Sequence, residues 1–149
     1  MSREPFKIFT SLIASINRNV RRIKTEIMAE YDLKCPHVSV LYYLYVDGAL
    51  TAKQLSEVCE EDKGAISRSV DSLEKCGLIE DASHGKKYKS LLKLTEKGKE
   101  VGKYVAEKID QVVISVASGL SDDDKANLYK GLADISKNLQ AIRVLPDKD

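Results

Sequence analysis

Asp62-Lys63-Gly64-Ala65-Ile66-Ser67-Arg68-Ser69-Val70-Asp71-Ser72-Leu73-Glu74-Lys75-Cys76-Gly77-Leu78-Ile79 is the stretch that decides how this 149-residue chain folds. Ile66, Val70 and Leu73 recur at helical spacing, so one face of a helix is apolar. Asp62 stands where an N-cap side chain accepts from the first free backbone amides. Gly77 stands just past the end, where a left-handed residue closes a helix. After it the period changes. Leu78-Ile79-Glu80-Asp81 reads as a strand, His84-Gly85-Lys86-Lys87 as a turn, and Tyr88 to Leu94 as a returning strand.

The residues before this stretch read as a second, shorter helix. Thr51-Ala52-Lys53-Gln54 has the capping-box pattern, in which a hydroxyl and an amide satisfy each other's backbone. Leu55 and Val58 face inward, and Glu60-Glu61-Asp62 makes the turn. Two helices joined by a tight turn and followed by a hairpin predict a helix-turn-helix with a wing.

Farther out the chain is helical. Ile8, Leu12, Ile16, Val20, Ile23 and Ile27 form the stripe of a long amphipathic helix over the first ~30 residues. Pro36 fits the first turn of the next helix, with Val38, Leu41, Tyr42 and Tyr45 on one face and a stop at Asp47-Gly48. A further helix opens at Thr95-Glu96, carries Val101, Tyr104, Val105, Ile109, Val112, Val113 and Val116, and is interrupted at Gly119. Ser121-Asp122-Asp123-Asp124 starts the last helix, whose stripe is Leu128, Leu132, Ile135, Leu139 and Ile142.

The fold class is mainly α with a small β-hairpin wing: a winged helix-turn-helix flanked by long terminal helices. One domain is expected over 1–149, with a lobe at about 36–95 and long helices at about 4–32 and 96–143. The terminal stripes pack either on their own domain or on a partner. One short lobe offers limited surface for three long helices, which favours a homodimer joined through its ends.

Composition narrows the function. Hydrophobic residues make up 43% and charged residues 32%, a globular balance. No apolar run approaches the ~18 residues of a membrane span, and Met1-Ser2-Arg3-Glu4-Pro5 has no signal-peptide core. A cytoplasmic protein that does not engage a membrane is expected. Cys35, Cys59 and Cys76 are too scattered for a disulfide framework or a zinc site, so no metal and no cofactor are expected. With His37 and His84 as the two histidines, and no phosphate-binding glycine loop or nucleophile elbow, an enzyme is not expected.

Net charge is +1, from 24 basic and 23 acidic residues, so clustering matters more than the total. Lys63, Ser67 and Arg68 lie off the apolar stripe of their helix. They present the polar and basic groups that read base edges in a major groove. Lys86, Lys87, Lys89 and Lys93 load the wing with positive charge and no acid, which suits a phosphate backbone or a minor groove. The bland alternatives are a solvated helix face and a solubility loop. From Thr51 to Thr95 the basic residues are matched by as many acids, Glu60 and Glu61 among them, so DNA binding requires the two signs to be segregated in space.

Leu50-Thr51-x-x-Gln54-Leu55, Asp62 to Arg68, Leu73-Glu74-Lys75-x-Gly77-Leu78-Ile79 and Leu94-Thr95-Glu96-Lys97-Gly98 together resemble the MarR family signature across about residues 38–105. The resemblance implies a dimer with interleaved terminal helices. It implies binding to double-stranded DNA at a pseudo-palindromic operator, as a transcription repressor. It adds Gly64 to the DNA-binding set of Lys63, Ser67, Arg68, Lys86, Lys87 and Lys89. It implies release by a small anionic or phenolic ligand held between the dimer base and the lobe, in a pocket near His37 and Tyr42. A lone histidine at a helix start is otherwise a surface or hydrogen-bonding group, and Tyr42, Tyr43 and Tyr45 otherwise read as core.

Two departures stand out. The family's Asp-x-Arg wing positions hold Lys86 and Tyr88 here, and lysine lacks the planar fork of arginine. The first helix has no cysteine of the kind oxidant-sensing members use there. Cys35, beside Pro36, is the one cysteine near the expected ligand cleft. The balanced charge and the missing wing arginine leave open a second reading, a winged-helix protein–protein adaptor without specific DNA binding.

Overall fold

The structure is a computed structural model that describes residues 4–33, 35–83 and 90–144, without the side chains of 35 and 36. Two compact units divide it, one up to residue 110 and one from residue 111.

In the first unit, α1 (Glu4–Met28) ends in a single 3-10 turn (Ala29–Tyr31) and is followed by α2 (Cys35–Val46). Next come β1 (Leu50–Thr51), α3 (Ala52–Cys59), α4 (Lys63–Lys75), β2 (Ile79–Asp81), β3 (Leu91–Leu94) and the start of α5 (Glu96–Val116). The core is built around α2, which packs against α1, α3, α4 and β3. Val38, Val40 and Leu41 on α2 are fully enclosed, with Met28, Leu55, Leu73 and Val105.

Because α2 is covered from several sides, a single stripe does not describe it. The sequence expectation put Tyr42 and Tyr45 on its buried face. Val40 and Leu44 hold core places instead, Tyr42 and Tyr43 are half-buried, and Tyr45 is exposed at 40%.

The sheet is antiparallel in the order β1-β3-β2. Leu50 and Thr51 pair with Leu92 and Leu91, while Ile79, Glu80 and Asp81 pair with Leu94, Lys93 and Leu92. Leu92 and Leu94 point inward and Leu91 and Lys93 outward, the period-2 alternation of a half-buried strand. The hairpin is confirmed in its arms. Strand β1 was not anticipated, because two residues are too few to show a period. The proposed turn residues 84–87, with 88 and 89, lie outside the described residues.

A joint seats α5 on the corner between α4 and β2. The Thr95 hydroxyl donates to the Gly77 carbonyl at 2.6 Å and accepts from the Gly98 amide at 3.0 Å. The Thr95 amide donates to the Leu78 carbonyl at 3.0 Å. Gly98 lies so close beneath that carbonyl that a Cβ built on it would overlap the oxygen and sit 2.8 Å from the carbon. Gly77 itself has φ +71°, the left-handed conformation that glycine takes without a steric cost.

The second unit holds the last turns of α5, a turn at Gly119 and α6 (Asp122–Ala141). The Ser121 hydroxyl caps α6 by accepting from the Asp124 amide at 3.1 Å. Leu128, Leu132, Ile135 and Leu139 are exposed in the chain, as are Ile8, Leu12, Ile16 and Val20 of α1. Among the described residues no helix is long and apolar enough to cross a membrane.

The joint makes Gly98→Ala a severe substitution. Backbone must shift to admit one methyl, and we expect a loss of about 3 kcal/mol, read as a fall of ~10 °C in the thermal midpoint. An unchanged midpoint would show that α5 does not depend on this seat.

Candidate nucleic-acid interface

Helix α3 begins with a complete capping box. The Gln54 amide donates to the Thr51 hydroxyl at 3.2 Å, and the Thr51 amide donates to Gln54 Oε1 at 2.9 Å. Ser56 then ties the turn. Its hydroxyl donates to the Glu61 carbonyl at 2.5 Å, and its carbonyl accepts from the Glu61 amide at 3.3 Å. Between them Glu60 takes φ +53°, a left-handed position held by a residue with a Cβ. Such a position costs on the order of 1–2 kcal/mol relative to a relaxed backbone. Asp62 starts α4, its carboxylate accepting from the Ala65 amide at 2.7 Å. The expected turn and both expected caps are therefore present.

Helix α4 has two distinct faces. Ile66, Ser69 and Leu73 are buried, whereas Lys63, Gly64, Ser67, Arg68 and Asp71 are exposed. The four residues proposed from the sequence on this helix thus share its solvent side, over its first two turns. Gly64 lets one of them lie close. A Cβ built there would meet Arg68 Nη1 and Asp62 Oδ1, each at 3.2 Å, so the guanidinium reaches back over the helix start. A cleft of about 530 Å³ runs from Lys53 and Lys63, past Ser67 and Asp71, to Asp81 and Ser90 beside the wing.

The wing is described in part. Lys93 faces Glu80 across the strand pair with an ion pair of 3.3 Å, both side chains half exposed. A pair of this exposure adds little stability, but it places an acid beside one of the four lysines read as free positive charge. Lys86, Lys87 and Lys89 lie outside the described residues.

Among the described residues, His37 and Tyr42 border different clefts. His37 is buried and borders a cleft of about 470 Å³ with Arg68, Ser72 and Lys75 of α4. Tyr42 borders another, about 330 Å³, with Lys24, Ser39, Tyr43 and Cys59. Lys24 donates to the Ser39 hydroxyl at 2.9 Å, linking α1 to α2. Sequence reasoning missed Lys24, Ser39 and Cys59 as neighbours of Tyr42. Ser39, one turn before Tyr42 on α2, was open to helical spacing, whereas Lys24 on α1 and Cys59 on α3 have no spacing pattern that connects them to it. Burial pushes the Cys59 thiol up to about 11, against the pull of Lys24 and with a further push from Glu61. Burial likewise raises the Tyr43 phenol, with Cys59 and Tyr42 adding to it. The side chain of Cys35 lies outside the described residues.

Residues 31–87 match the sequence profile of the MarR family. Over 140 residues the chain is 23% identical to YwaE, an uncharacterized HTH-type transcriptional regulator of Bacillus subtilis (strain 168), covering 93% of this chain and 82% of YwaE. In fold the chain is similar to NMB1585, a MarR family regulator from Neisseria meningitidis. The TM-score is 0.74 at 23% identity, over 94% of this chain and 95% of that one. It is also similar to S. aureus MepR in a complex with DNA, at a TM-score of 0.79 and 17% identity, over 88% of this chain and 96% of that one. These likenesses establish a common fold.

The thiolate is the reactive form of cysteine, so a thiol raised to about 11 is mostly protonated at pH 8. Iodoacetamide is therefore expected to label exposed Cys76 well before Cys59 at pH 8. Labelling of Cys59, followed by peptide mass spectrometry, should rise about tenfold per pH unit from 7 to 9.5 without a plateau. A plateau near neutral pH would contradict the burial described for it.

Proposed function

We propose that this chain is a sequence-specific, double-stranded-DNA-binding transcription regulator, a cytoplasmic homodimeric repressor released by a small anionic or phenolic ligand. The observation that carries the reading is the division of α4: an apolar face locked into the core and an opposite face presenting Lys63, Gly64, Ser67 and Arg68. In a helix-turn-helix this is the face that meets the major groove, and arginine is the commonest reader of guanine there. The complex of MepR with DNA, a protein of similar fold, supports the same reading. From the sequence, Lys86, Lys87 and Lys89 of the wing supply contacts to the phosphate backbone.

The single-domain organisation over 1–149 is part of this proposal, with the lobe at about 36–95 and dimer helices at about 4–32 and 96–143. Unpartnered apolar residues along α1 and α6 support the dimer, since Leu12 and Ile16 are each 57% exposed in the chain. The cleft at Tyr42, with a lysine beside two tyrosines, supports a ligand that is anionic or phenolic. His37, on a different cleft, stays in the proposal as a pocket residue from the family resemblance alone.

Binding of the purified protein to DNA from upstream of its own gene, against random duplex, at two salt concentrations, tests the regulator. Preference for the native fragment that survives higher salt is expected. Arg68→Ala should weaken that binding by about 1–3 kcal/mol and relax preference at one position. Equal, salt-sensitive binding to both DNAs would favour the adaptor. Ile16→Glu should convert a dimer into monomers in sedimentation analysis, and a wild-type monomer at micromolar concentration would remove the dimer from the proposal.

A further inference from the structure

Clefts flank α4 on both sides, one toward His37 and one toward the wing. Asp71 is the described residue that borders both. Its exposed side chain therefore stands on the crest of the helix, one turn beyond Ser67 and Arg68. Residues three and four apart share a helix face, so the three form one continuous surface. Two cations lie at pairing intervals in the sequence, Arg68 three residues before and Lys75 four residues after. Neither closes an ion pair with Asp71, and no hydrogen bond engages its carboxylate among the described residues. The Arg68 guanidinium reaches the other way, toward Gly64 and Asp62.

A carboxylate on this crest works against affinity, because every phosphate repels it. It does supply two acceptor oxygens and no donor. In the major groove the partner that matches a carboxylate is the N4 amine of cytosine.

We infer that Asp71 is a specificity-determining residue that accepts from a cytosine N4 amine next to the base read by Arg68 and disfavours other bases at that position. The inference rests on the reading of α4 as the DNA-binding helix. Three residues of helix span about 4.5 Å, close to the ~3.4 Å between successive bases on one strand. The cytosine and the base contacted by Arg68 are therefore neighbours. The carboxylate trades total affinity for discrimination, a repulsive element set against wrong sequences.

The test selects preferred sequences from a random duplex library with the full-length wild-type chain, Asp71→Ala and Asp71→Asn. Fluorescence anisotropy on the selected and random duplexes follows. The site is exposed, and matching thermal midpoints would show that both variants fold. Wild type should require cytosine at one position next to the base read by Arg68. Asp71→Ala should bind random DNA more tightly and lose about 5- to 150-fold of discrimination at that position. Asp71→Asn should move the preference there from cytosine toward adenine, since an amide offers the donor and acceptor that adenine matches. Unchanged base preferences in both variants, with a selective wild type, would overturn the role of Asp71 and leave the regulator intact. A wild type with no preferred sequence would overturn the regulator reading, and this inference with it.

Discussion

The lobe depends on one close approach, the backbone of Gly98 under the carbonyl of Leu78. Three chain segments meet there: the end of α4, the start of β2 and the first turn of α5. Thr95 completes the contact by bonding on both sides, to Gly77 through its hydroxyl and to Leu78 through its amide. Neither a bulkier residue nor a looser turn would keep the strand pair registered against α4. The position of β3 follows from it, because β3 enters α5 through Thr95. The cleft between α4 and the wing in turn takes its width from where β3 runs.

Within that frame α4 separates two tasks along opposite faces. Ile66, Ser69 and Leu73 fix the helix in the core, and the caps at Asp62 and Gly77 fix its length. Lys63, Ser67, Arg68 and Asp71 on the solvent side make no side-chain hydrogen bond or ion pair among the described residues. The charge balance that argued against DNA binding is thereby resolved in part. Glu80 sits opposite Lys93 in the sheet, while Lys63 and Arg68 lie over the first two turns of α4.

Much of this was legible in the sequence wherever a signal was local. The caps at Thr51, Asp62 and Ser121 are side chains satisfying amides three residues away, so composition and spacing suffice to place them. Gly77 and Gly119 marked helix ends for the same reason, and their positive φ values agree. What was not legible depends on several segments at once. Strand β1 is two residues whose conformation is set by pairing with β3. Helix α2 is covered on most sides, so its apolar period could not tell Leu44 from Tyr45. Tyr42 and His37 are five residues apart, yet α2 turns them toward different clefts. Lys24 and Cys59 reach the Tyr42 cleft from elements far away in the chain. The residues of the expected DNA-contacting set on α4 could be read because one helix carries them all.

The two faces of α4 also have an evolutionary consequence. Substitutions at Ser67, Arg68 or Asp71 leave the packing of Ile66 and Leu73 untouched, so such a chain can acquire a new target sequence by drift, one exposed side chain at a time. Gly98 allows no such drift, because any mutation there adds atoms where a carbonyl already lies. Lineages descending from this lobe would diverge quickly in what they recognise and slowly in how they fold.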